Sequence, residues 1–298
     1  MLAVLLDRER ELTEIGGLIE AAREDSGGVV VVEGPAGIGK TRLLEEAART
    51  AGAVGLGVLR ARGSEFEAEI GFGVARQLLE PMLRTASPEQ RRRLLDGVAR
   101  VGARALGVED GEPPADRFAA MHGLYWLYAN RAELGPLLLV IDDVQWADDP
   151  SLAWVGYLAR RVADLPLVVV LGLRSGDPGG ERAELSQLVG GGGALRLVLG
   201  SLSAPAVGEI VRDQLDEGAD ESFCAAVSEL SGGNPLFVRE LLAAAREQRL
   251  SATRESVAAL ELIAPVAVGV SVAFFLVFEI WFQVPLPKGP LEAALHLG

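Results

Sequence analysis

Val29-Val30-Val31-Val32-Glu33-Gly34-Pro35-Ala36-Gly37-Ile38-Gly39-Lys40-Thr41 is the stretch that decides the fold. Four β-branched residues in a row, running into a glycine-rich turn, read as a strand buried on both faces, the habit of a parallel sheet. The octapeptide Gly34–Thr41 then fits G-x-x-x-x-G-K-[ST] at every fixed position. Beyond it, Leu43, Leu44, Ala47 and Ala48 make one apolar stripe, so a helix starts at about Gly39. Strand, glycine turn and helix in that order form a phosphate cradle. Gly34, Gly37 and Gly39 let successive N–H groups converge on phosphate oxygens, and the helix adds its N-terminal partial charge. Lys40 is the only lysine in the first 250 residues, where 25 arginines carry the rest of the positive charge. A compact ammonium fits between two phosphates where a planar guanidinium does not. Thr41 offers a hydroxyl to Mg²⁺. The expected nucleotide contacts are Gly34, Pro35, Gly37, Ile38, Gly39, Lys40, Thr41 and Arg42.

Outward from this loop, strands alternate with helices. Ala53 to Arg62 reads as a second strand, and helical patterns follow over 70–83, 88–105 and 116–134. Leu137-Leu138-Leu139-Val140-Ile141 is a buried strand that runs into Asp142-Asp143. An acid at the C-terminal end of such a strand, beside the phosphate loop, can hold magnesium through water, and that role falls to Asp142. Asp143 is placed to accept a proton from attacking water; capping the next segment is the other reading of it. Asp149-Pro150 opens a helix to about Ala163. Leu167–Leu173 is a strand closed by Arg174, either a γ-phosphate sensor or an ordinary strand-end arginine. Leu195–Leu199 is the fifth strand, and from Ser203 to Ala245 the pattern is helical only. The expected architecture is α/β: a P-loop NTPase with a parallel five-stranded sheet flanked by helices (1–200), a small helical lid (201–250) and a hydrophobic C-terminal helix (251–298).

Composition narrows the function. Hydrophobic residues make up 49% of the 298 and charged residues 23%, enough to bury a core. The net charge is −14, of which −12 falls in the first 250 residues, so no direct nucleic-acid binding is expected, since that needs a basic surface. Arg91-Arg92-Arg93 reads as a solvated helix face. Cys224 is the sole cysteine, which leaves no intrachain disulfide and points to the cytoplasm. His122 and His296 lack metal-ligand spacing.

Several motifs now stand in one order: Leu6-Asp7-Arg8-Glu9-Arg10-Glu11-Leu12, the Gly34–Thr41 loop, Leu137–Trp146 with Ala147-Asp148, Arg174, and Gly232-Gly233-Asn234-Pro235-Leu236-Phe237. Together they resemble the ATPase module of the signal-transduction ATPases with numerous domains, above all in large ATP-binding regulators of the LuxR class. The resemblance covers about 5–249. It implies that the Arg174 strand lies between the phosphate-loop strand and the Asp142 strand. It implies that Arg8 lies near the adenine, although Asp7 stands where the family has glycine. It also implies that Pro235 closes over the base or ribose, and that the ATP state associates with itself or with a protein partner. Trp146 and Asp148 read as structural. The expected ligand is ATP with Mg²⁺, and Lys40, Asp143 and Arg174 form the catalytic set. Two alternatives stand beside it: a module that binds adenine nucleotide without turnover and acts through a partner, and a membrane-tethered, transporter-associated protein.

The last stretch differs. Residues 262–278 carry no charge, and Phe274–Glu279 with Val284–Glu292 resemble the end of the small membrane subunit of tripartite tricarboxylate transporters. Three accounts stay open: a joining of two reading frames, a membrane tether through 262–284, and a buried or oligomerising helix.

Overall fold

The computed structural model describes residues 5–64, 71–176, 182–191 and 193–274. The chain divides into two units, Met1–Gly200 and Ser201–Gly298. In the first, strands β1 (Gly28–Gly34), β2 (Gly57–Arg62), β3 (Leu137–Asp142), β4 (Leu167–Arg174) and β5 (Ala194–Val198) pair in parallel, in the order β2-β3-β4-β1-β5. The five-stranded parallel sheet is thus present, and β4 lies between β1 and β3 as the resemblance implied.

The unbroken apolar runs follow from burial on both faces. Alternate residues point opposite ways. Val30, Val32, Val168 and Val170 join a core with α1 (Glu9–Arg23) and α2 (Lys40–Ala53). Val29, Val31, Val169 and Leu171 join the other core, beneath α3 (Gly73–Thr85) and the helices that follow it.

Local chemistry moved several boundaries. Helix α2 runs to Ala53, so β2 begins only at Gly57. The helix expected over 88–105 is two, α4 (Pro88–Leu94) and α5 (Ala99–Ala105). Gly97 adopts φ +57° between them, and Asn130 on α6 (Arg117–Ala132) donates to the carbonyls of Arg93 and Leu94 at the end of α4. Helix α7 (Asp149–Ala159) stops before Arg160, short of Ala163. Helix α8 (Ala183–Gly190) precedes β5. Arg91 and Arg93 are paired with Glu109 and Glu89 at 3.0 and 2.9 Å.

The second unit contains α9 (Ala204–Gln214), α10 (Glu221–Ser231), α11 (Pro235–Glu247) and α12 (Val257–Phe274). Cys224 is buried in α10, and that burial pushes its thiol up. No helix among the described residues is long and apolar enough to cross a membrane. Of the span expected at 262–284, residues 262–274 fall in α12; the remainder, and the transporter-like motifs apart from Phe274, lie outside the described residues.

Candidate functional site

The loop after β1 has the backbone that its glycines predict. Gly37 and Gly39 sit at φ +75° and +102°, where an L side chain is strained. Gly39 stands at the N-cap of α2, no side chain caps that helix, and its first turn holds no acid that would repel an anion. Lys40 is 5% exposed, and its ammonium donates to the carbonyls of Gly34 and Pro35 at 2.8 and 2.9 Å. Ile38 is buried against the sheet. Arg42 is exposed on the first turn of α2. One turn on, Glu46 is held below the usual carboxylate range by its Arg49 hydrogen bond, with a smaller contribution from Arg42.

Sheet order brings the second acidic piece to this loop. The Thr41 hydroxyl donates to Asp142 Oδ2 at 2.7 Å across 101 residues of sequence. Asp142 Oδ1 accepts from the Asp143 N–H at 3.0 Å. The carboxylate fits there because β4 carries Gly172: a Cβ at that position would lie 2.5 Å from Asp142 Oδ1 and 3.2 Å from Leu44 Cδ2. Gly172→Ala is therefore expected to push Asp142 off Thr41. With Asp142 as the expected magnesium residue, the expected readout is an about tenfold drop in ATP affinity with Mg²⁺ and a level affinity in EDTA, by calorimetry in both buffers.

Asp143 turns the other way. Its backbone is left-handed (φ 49°, ψ 46°), a conformation that aspartate tolerates better than most residues and that ends the strand. It stands at the N-cap of the 3-10 turn at Val144–Trp146, but its side chain makes no capping hydrogen bond there. Instead its Oδ2 takes Arg62 Nε and Nη2 at 3.0 and 2.9 Å. Its Oδ1 faces Gln145 Nε2 at 3.5 Å and Arg174 Nη2 at 4.0 Å. Asp143 is 2% exposed and Gln145 1%. Arg174, at the end of β4, is buried with them.

Arg62 and Gln145 were not singled out by sequence. Arg62 closes β2, and only the β2–β3 register, which sets Arg62 opposite Asp142, reveals its partner. For Gln145 the one available signal was its place inside the Asp142–Asp148 stretch.

The fold also places Arg8 and Pro235, the two residues expected on the base side. Arg8 is buried, and its guanidinium donates to the carbonyls of Asp7, Ile38 and Gly200 at 2.8, 3.2 and 2.7 Å. It braces the loop through the Ile38 carbonyl and ties it to the Gly200 carbonyl. Pro235 belongs to the second unit, at the first turn of α11. Gly232 and Gly233 end α10 in the left-handed region, and Asn234 Oδ1 then caps α11 through the Leu236 N–H at 3.0 Å.

Asp148 has the structural role expected of it. Its carboxylate accepts the N–H groups of Phe72, Gly73 and Ser151 at 2.7, 2.9 and 2.8 Å, so one buried side chain ties α7 to the start of α3. Asp148→Ala leaves those three donors unsatisfied. It is expected to cost about 3 kcal/mol in urea unfolding.

Comparison with known proteins follows the same lines. A family model described as an AAA ATPase domain matches residues 4–170. An uncharacterized protein of Rhizobium meliloti (strain 1021) is 27% identical over 259 residues, which are 80% of this chain and 24% of that protein. The chain thus spans about a quarter of that relative. Among solved structures, a signal-transduction ATPase with numerous domains from Pyrococcus horikoshii, with a tetratricopeptide repeat sensor, superposes with a TM-score of 0.51 at 21% identity. It covers 81% of this chain and 30% of its own. The ORC2 protein of Aeropyrum pernix, solved as ADPNP–ADP complexes, gives 0.53 at 17% identity, covering 90% and 68%.

Proposed function

We propose, from the premise that this chain belongs to the AAA ATPase domain family, that it binds Mg-ATP in the Gly34–Thr41 loop and hydrolyses it slowly, as a switch. The observation that carries this is the Thr41–Asp142 hydrogen bond at 2.7 Å, which joins the phosphate loop to the acidic strand end. Thr41 and Asp142 supply hard oxygen donors of the kind magnesium takes, and they would hold it directly or through water. The bound ion supplies charge neutralisation on the phosphates. The chain's own residues do the rest. Lys40 leaves the carbonyls of Gly34 and Pro35 for phosphate oxygens, and the Gly37–Gly39 backbone supplies N–H donors. Arg174 senses the γ-phosphate. Asp143 takes a proton from water, through Oδ2 once Arg62 has moved off it.

The Arg62–Asp143 ion pair also favours a second reading, in which the module holds nucleotide without turnover until something separates the pair. The order of the motifs and the fold shared with the Pyrococcus structure support a switch of the signal-transduction class. On that reading the chain is one part of a longer bacterial regulator, such as those of the LuxR class, and its ATP state associates with itself or a protein partner. Arg8 then acts near the base side through the loop it braces.

Nucleotide content and single-turnover phosphate release of the purified chain test the proposal. Bound adenine nucleotide with Mg²⁺-dependent release supports the hydrolysing switch. Bound ADP without release favours the locked module. A folded chain that takes up no nucleotide rules out both.

A further inference from the structure

Gln145 stands out among buried polar side chains because both ends of its amide meet the proposed chemistry. Its Oε1 accepts the backbone N–H of Arg174 at 3.1 Å, across 29 residues. A backbone N–H can only donate, so the oxygen must face Arg174 and the NH₂ must face Asp143 Oδ1, at 3.5 Å. The amide therefore has one orientation. It links the C-terminal end of β4 to the carboxylate that follows β3.

The two oxygens of Asp143 are held by different partners. Oδ2 belongs to Arg62, a side chain 40% exposed at the end of the edge strand β2 and therefore free to move into solvent. Oδ1 faces Gln145 and Arg174, which are buried and tied to β4. A shift of Arg62 therefore moves a partner of Oδ2, while the Gln145 and Arg174 contacts of Oδ1 stay with β4.

We propose that Gln145 is a positioning residue, which holds Asp143 Oδ1 to the end of β4 and so fixes the rotamer in which Oδ2 faces the attacking water. This rests on the hydrolytic reading above. The O–H bond of the attacking water breaks as its oxygen bonds to the γ-phosphorus, and the proton passes to Asp143 Oδ2. The bond between γ-phosphorus and the bridging oxygen breaks, and ADP leaves with that electron pair. Gln145 exchanges no proton. It acts by keeping the acceptor in one rotamer and in register with Arg174, so its loss is felt in turnover and not in nucleotide affinity.

Two substitutions in the full chain separate its two ends. Gln145→Glu keeps the shape and an acceptor for Arg174 N–H but loses the donor to Asp143. Gln145→Met keeps the volume and loses both. Both variants are expected to bind ATP within about threefold of wild type and to release phosphate at least about tenfold more slowly. Amide exchange without nucleotide gives a readout independent of activity. The Arg174 N–H should stay protected in Gln145→Glu and exchange at least about tenfold faster in Gln145→Met.

A Gln145→Glu chain that turns over within about twofold of wild type would overturn the positioning role, as would affinity that falls in step with turnover. Lys40→Ala is run beside them. If wild-type release does not exceed that of Lys40→Ala, the hydrolytic reading itself fails and this proposal falls with it. If only the Gln145 variants are unaffected, the positioning role alone is wrong.

Discussion

Lys40→Ala is expected to lower ATP affinity roughly a hundredfold or more and to remove phosphate release, with little change in melting temperature. The ammonium lies almost wholly out of solvent between the carbonyls of Gly34 and Pro35, where its charge is weakly screened. Those carbonyls can return to water or to neighbouring N–H groups once the side chain is gone, so the fold loses little. A triphosphate has no such substitute. The glycine backbone offers it only partial positive charges, and no other lysine lies near in sequence. Lys40→Arg is expected to fail as well, because the guanidinium fork is too wide for a loop that closes on one nitrogen. Isothermal titration with ATP and Mg²⁺ checks both variants. Wild-type affinity in Lys40→Ala would dismiss the loop as the phosphate site.

Asp143→Asn is expected to do the opposite, sparing binding and stopping chemistry. Asparagine has the size of aspartate and tolerates the left-handed backbone at this position, so the turn after β3 survives. Its carbonyl can still accept from Arg62, which is 40% exposed and partly solvated in any case. What is lost is the anionic oxygen that accepts a proton. Single-turnover phosphate release should fall roughly a hundredfold, with ATP affinity within about threefold of wild type. Unchanged release would reduce Asp143 to an anchor for Arg62 and Arg174, with water activated elsewhere.

How much of this was legible in the sequence varies by residue. The phosphate loop was complete in one octapeptide, because a cradle for phosphate is built from consecutive backbone groups and one side chain. Asp142 was legible because a buried strand that ends in an acid is a local pattern. The break between α4 and α5 was not, since the carbonyls freed at Leu94 are answered by Asn130, on a helix that begins 23 residues later. The backbone acceptors of Arg8 were not legible either, because Ile38 and Gly200 lie far along the chain.

The sequence by itself determined the fold class of the protein: continuous valine and leucine runs must be buried on both faces, and the glycine turn between strand and helix fits the phosphate-loop pattern at every fixed position. Tertiary structure alone decided how the site is held. The order β2-β3-β4 sets Arg62, Asp143 and Arg174 on adjacent strand ends, and Gly172 on β4 leaves room for the Asp142 carboxylate. Gln145 then joins the acid to β4. The physical reason is that strand neighbours in a parallel sheet are separated in sequence by whole crossover connections, so contacts between their ends leave no periodicity or spacing to read.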